Sequence, residues 1–302
     1  MISTLTTKLA AHFGYDISIS PIKNSLSKAP LKNTVFVHIP KCGGMSIDEA
    51  LRKKLALPHE RKIKRAPLIK SNIATFNRTI NSIDDICDFS EYHARENKKI
   101  LRYHLNQQWQ YVSGHLTVDD KLLLDFKNDY QFITVLREPE SRFISNYLYN
   151  KMTNQSHIMP PSVHQNNSID SAIHEAKEIL TNRRGWHMAN TLTLFITGHY
   201  PKTADEAKAL QGQFDTNLQQ FSAVGFLSQL DNFCNKIKAL TGKSLTIANK
   251  NTTKSHFKSD NLEIHNALHE FFEDRWARTK VKDLCRYDTE NYQRAFETYG
   301  KE

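Results

Sequence analysis

The stretch NTVFVHIPKCGGMSIDEAL, Asn33 to Leu51, sets a lysine, two adjacent glycines and a serine between an apolar run and an amphipathic one. Val35, Phe36, Val37 and Ile39 read as a strand stopped by Pro40, and Ile47, Ala50, Leu51 and Leu55 recur at helical spacing. A strand that turns through Gly43 and Gly44 into a helix aims several unpaired backbone N–H groups at one point, where the helix dipole adds positive potential. Such a turn cradles a phosphate or a similar anion; a bare tight turn is the alternative. Its residue order is not that of the nucleotide-triphosphate loop GxxxxGK[ST], because Lys41 precedes the glycines and GxxxxGK occurs nowhere in the chain.

Two more stretches carry candidate chemistry, and each ends a strand. QYVSGHL reads as a strand closing on Gly114 and His115, the end at which parallel α/β sheets bind ligands. YQFITVL, Tyr130 to Leu136, reads as a β-branched strand feeding REPESRFISNYLYNKM, in which Pro139 suits a first helical turn and Phe143, Ile144, Tyr147 and Leu148 form an apolar face. Helices are expected over VDDKLLLDF, SIDSAIHEAKEIL, MANTLTLFITG, TADEAKALQGQFDTNLQQF, DNFCNKIKALTG and most of Asn261 to Tyr299, with a fourth strand at SAVGFL. Strands alternating with helices imply an α/β fold with a central parallel sheet flanked by helices.

These residues also carry a resemblance. FVHIPKCGGMSI resembles the 5′-phosphosulfate loop of sulfotransferases that use 3′-phosphoadenosine-5′-phosphosulfate, in particular the carbohydrate group that includes heparan sulfate 2-O-sulfotransferase and its bacterial relatives. VLREPESRFISNYLY, about 100 residues later, is similar to that family's 3′-phosphate motif, and YVSGHL to the segment carrying its general base. The resemblance implies a P-loop-like three-layer fold and transfer of a sulfuryl group to an acceptor hydroxyl, on a carbohydrate or glycolipid. It implies that Arg137, as a bidentate donor, and the Ser145 hydroxyl hold the 3′-phosphate, while Arg142 braces the fold. The amides of Cys42, Gly43, Gly44 and Met45, with the Ser46 hydroxyl, would hold the 5′-phosphate, and Lys41 would neutralise the departing phosphate.

His115 would be the base, since a neutral imidazole of ordinary pKa about 6.5 accepts a hydroxyl proton near neutrality. Glu49 is the runner-up base, because other branches of the superfamily use a carboxylate; otherwise Asp48 and Glu49 read as early-helix acids that complement the dipole. His38, inside the first strand, reads as a core residue or as one that supports the site's residues from behind. Cys42 and Met45 stand where the family more often has Thr, which removes two hydroxyl donors from the loop. ANTLTLFITG, FSAVGFLSQLDNFCNKI, NKNTTKSH and YDTENYQRA are weaker matches to later parts of the family.

Composition frames these motifs. The 302 residues, 39% of them hydrophobic, can bury a substantial core, and 10 Gly and 9 Pro argue against low complexity. Lys and Arg outnumber Asp and Glu by 41 to 32, so the partners are anionic. Cys42, Cys87, Cys234 and Cys285 form no CxxC pair and read as free thiols, and no metal is expected. No apolar run approaches the length of a transmembrane helix and no export signal is visible, so a cytoplasmic, bacterial enzyme is expected, with peripheral membrane contact left open. The matches at Asn77 and Asn251 to the glycosylation pattern then read as chance.

Residues 1–32 read as a polar tail or linker and 33–302 as a single domain. The polar, irregular text of 58–108 reads as a surface insertion carrying short helices, which with a loop at 154–168 would shape the acceptor side. Lys62, Lys64 and Arg65, in the basic run ERKIKRAPLIK, form a candidate acceptor rim. Two competing readings are a nucleotide kinase-like enzyme, which would want its lysine after the glycines, and a non-catalytic basic module binding glycan or nucleic acid, which leaves the paired motifs unexplained. The first reading expects no nucleic-acid partner, and the sequence carries no signal for oligomeric state.

Overall fold

A computed structural model describes residues 32–153, 168–247 and 259–300, with residues 12 and 13. Apart from His12, Phe13, Lys32 and Ser168, the expected tail, the loop at 154–168 and the stretch NKNTTKSH lie outside the described residues. Four strands, β1 (Asn33–Val37), β2 (Tyr111–Gly114), β3 (Tyr130–Leu136) and β4 (Phe221–Phe226), form one parallel sheet in the order β2-β1-β3-β4. Twelve α-helices surround it among the described residues. β3 is buried along its whole length, as a central strand covered on both faces must be. Its polar residues are satisfied within the sheet: Gln131 Nε2 donates to Thr34 Oγ1 at 2.8 Å and Thr134 Oγ1 to the Val37 carbonyl at 2.9 Å.

On one face, Phe36, Tyr111, Ile133 and Val135 pack against Ile47 and Leu51 of α1 (Gly44–Leu55) and against Phe233 and Ile237 of α10 (Leu230–Thr241). The other face is larger. There Val35, Val37, Val112 and Phe132 meet α3 (Ile83–Asn106), α4 (Asp120–Phe126), α8 (Thr191–Thr197) and α9 (Ala204–Leu218). A second apolar cluster joins α5 (Pro139–Met152), α6 (Ile169–Ile179), α7 (Arg183–Ala189), α11 (Ser259–Glu273) and α12 (Arg275–Tyr299) beside the sheet. Among the described residues no helix is long and apolar enough to cross a membrane.

Two elements correct the sequence expectations. The segment 58–108 holds α2 (Arg65–Thr75) and then, in α3, one helix of 24 residues, not a set of short surface helices. Ser82 and Asp85 form a capping box at its start, and Ile86, Cys87, Leu101 and Leu105 are buried along one side. So sparse a stripe in polar text hides from composition. MANTLTLFITG is likewise not one helix, because the chain leaves helical geometry at Asn190 (φ −92°, ψ 38°). The carboxylate of Asp288, on α12, accepts from Leu192 N at 2.6 Å, Thr193 N at 2.9 Å and Thr193 Oγ1 at 2.6 Å, capping α8 from a distant element. Burial raises the pKa of this carboxyl to about 6.

Candidate active site

β1, β2 and β3 end side by side, with Val37 in register with Gly114 on one side and Thr134 on the other. The turn after β1, the His115 segment after β2 and Arg137 after β3 therefore share one edge of the sheet. In the turn, Lys41 and Gly43 both have positive φ, 66° and 74°. Gly43 is the cap residue of α1, and a Cβ there would approach Leu227 Cδ1 to 2.6 Å as well as strain the backbone. For a lysine the left-handed region is uncommon. It is secured here by Arg137, whose Nη1 donates to the Lys41 carbonyl at 3.1 Å, while its Nε lies 3.4 Å from Ser141 Oγ. The two sequence motifs, 96 residues apart, are thus joined by a hydrogen bond.

The turn opens onto cationic and polar groups. The Lys41 ammonium lies 3.9 Å above the ring of Tyr149 on α5, and burial together with the Arg137 charge lowers its pKa to about 8. Burial also lowers the pKa of Arg137. Ser46, in the first turn of α1, is 7% exposed and its hydroxyl is buried without a hydrogen-bond partner. An orphaned hydroxyl at the start of a helix, beside backbone N–H groups with no intrahelical acceptor, fits an oxyanion. Cys42 is buried with its thiol pushed up to about 12 by burial, whereas Met45 is exposed.

His115 Nδ1 lies 2.8 Å from the His38 carbonyl oxygen. Because a carbonyl only accepts, Nδ1 carries the proton and the neutral ring keeps its lone pair on Nε2, the atom a base would use. Burial lowers the His115 pKa to about 4, well below the ordinary value the sequence suggests. Three charged side chains act on it: Arg65 and Lys62 oppose protonation and Asp48 favours it.

Asp48 is not a solvated helix acid. It is 2% exposed, accepts from Tyr111 Oη at 2.9 Å and from Ser113 Oγ, and pairs with Lys62 Nζ at 2.9 Å. It thereby ties the basic run to the helix behind the turn. Asn72, Asn97 and His93 continue a polar network from α2 and α3, in which Asn97 Nδ2 lies 3.5 Å from the His115 carbonyl.

The fold thus brings Lys41, Gly43, Gly44, Ser46, His115 and Arg137 to one edge. Ser145 is half-buried on α5 with no hydrogen bond to Arg137, and Glu49 is exposed on α1. Arg142 is fully buried and donates to the Met188 carbonyl, bracing the fold. Sequence reasoning missed Tyr149, Asp48 and the proximity of His38 to His115. Tyr149 lies 108 positions from the lysine it supports, and nothing local marks it. Among the described residues no group of three or more His, Cys, Asp or Glu is arranged to hold a metal ion. No protein-family model matches the chain, and no curated protein matches it.

Proposed function

We propose that this chain is a sulfotransferase, with a P-loop-like site, that uses 3′-phosphoadenosine-5′-phosphosulfate and an acceptor hydroxyl on a carbohydrate or glycolipid. The observation that carries the reading is the bond from Arg137 to the Lys41 carbonyl, which sets a 3′-phosphate candidate against an anion turn that also holds an orphaned hydroxyl. Bound, the nucleotide would supply the sulfuryl group and leave as 3′-phosphoadenosine-5′-phosphate. The amides of Cys42 to Met45 and the Ser46 hydroxyl hold its 5′-phosphate, and Arg137 with Ser145 its 3′-phosphate. Lys41 swings from the Tyr149 face to meet negative charge. His115 Nε2 takes the acceptor hydroxyl proton, and Lys62 and Arg65 flank the acceptor side.

Calorimetric titration tests this against the competing readings. 3′-Phosphoadenosine-5′-phosphate should bind more tightly than ATP, and Arg137→Ala should cost about 2–4 kcal/mol for it, with at least tenfold less loss for the same nucleotide lacking the 3′-phosphate. Some loss is expected for both, because Arg137 also holds the loop carbonyl. Tighter binding of ATP, or equal losses for the two ligands, would overturn the assignment.

A further inference from the structure

The residue between the anion turn and His115 is a second imidazole. His38 follows β1 directly and is 6% exposed. Its ring stacks on Phe36 at 5.5 Å and 13°, and lies 4.4 Å from the His115 ring at 45°. Its backbone bonds to two successive residues at the end of β2: His38 N donates to the Gly114 carbonyl at 3.2 Å, and the His38 carbonyl accepts from His115 Nδ1. On the other side, a Cβ at Gly44 would overlap the His38 ring at Cδ2 and Nε2. Gly44 is not in the left-handed region, so its backbone would accept alanine, and the three atoms nearest such a Cβ all belong to the His38 ring.

We propose that His38 is a positioning residue: its ring fixes the spacing between the anion turn and His115 and covers one side of the half-buried base, and residue 44 is glycine to admit that ring. The chemistry it serves rests on the sulfotransferase reading. The physical need is general, since donor turn and base come from positions more than 70 residues apart, and a misplacement of about 1 Å costs on the order of 100-fold in rate. A stacked ring, anchored by Phe36 and sharing backbone bonds with the base's own strand, holds both at once. The groups facing His115 are His38 just after β1, Asp48 from α1, Lys62 from the segment before α2, Arg65 at the start of α2, and the edge of Phe195 from α8 at 6.4 Å.

Two measurements on the full chain test this without an acceptor. In an NMR pH titration of the His115 ring, wild type and His38→Phe, which keeps a ring in place, should both titrate near 4. His38→Ala, which uncovers that side of the His115 ring to solvent, should move the midpoint up by roughly one unit or more toward the ordinary value. In titrations with 3′-phosphoadenosine-5′-phosphate, Gly44→Ala should weaken binding by roughly 30-fold or more, and adding His38→Ala should restore at least about tenfold of that loss. A His115 midpoint unmoved by His38→Ala, or a double variant binding as weakly as Gly44→Ala alone, would overturn the proposal. Failure of wild type to bind the nucleotide would instead overturn the sulfotransferase reading, and the His115 titration would still decide the role of His38.

Discussion

Raising the pH from about 7 to about 9 should weaken 3′-phosphoadenosine-5′-phosphate binding through Lys41 alone. Burial and the neighbouring Arg137 charge bring this ammonium down to about 8, so it loses its proton inside an accessible range. A bound phosphate favours the charged form and raises the pKa in the complex. Affinity is therefore flat well below about 8 and falls above it by up to about tenfold per pH unit. The free protein is about 90% protonated at Lys41 near pH 7 and about 10% near pH 9, so the loss over that span is about tenfold, or ~1.4 kcal/mol.

Other groups are silent in this window. Phosphate ionises near pH 6 and is fully charged above it, and Arg137 keeps its charge throughout. Titrations in two buffers of different ionisation enthalpy should show uptake of about half a proton per ligand near pH 8. Lys41→Gln should abolish both the uptake and the slope, and should bind less well than wild type near pH 7. A flat wild-type profile, or the same slope in Lys41→Gln, would refute the placement of Lys41 on the anion.

Ser46→Ala should separate stability from binding: the free protein is unchanged or slightly more stable because a buried unsatisfied hydroxyl is removed, while nucleotide affinity falls by ~1 kcal/mol, as thermal unfolding and calorimetry would read. Once an acceptor is found, His115→Ala should lower turnover by about 10²- to 10⁴-fold and leave nucleotide affinity nearly unchanged. Wild-type turnover should hold from neutral pH well into the acid range and fall only toward the low His115 midpoint, where imidazolium can no longer accept a proton. Asp288→Ala strands the Leu192 and Thr193 donors and should lower stability by ~3–5 kcal/mol in denaturant titration. The raised pKa of Asp288 means that the native state holds its proton up to about 6, so its contribution to stability falls as pH rises from about 4 to about 6.

The sequence by itself determined what is local. Alternation of β-branched runs and helical spacing marks all four strands, β3 to the residue, because a central strand buried on both faces has to be apolar throughout. Adjacent glycines between strand and helix mark the candidate anion turn, because Gly43 there takes a left-handed backbone that other residues rarely adopt. The tertiary structure decided what depends on residues far apart in the chain. At the break after Asn190, the helix that follows is capped by the carboxylate of Asp288, 96 residues from Leu192, whose N–H it accepts, a partner no local pattern reveals. The cation–π seat of Lys41, the Arg137 bond to its carbonyl and the low pKa of His115 arise only when β1, β2, β3 and α5 converge. His38 shows the division most sharply: in the run that β1 begins it is one more buried residue, and only the register of β1 against β2 and the start of α1 set its ring between Gly44 and His115. Spacing along one chain encodes periodicity, whereas burial and charge at a point are sums over every element packed there.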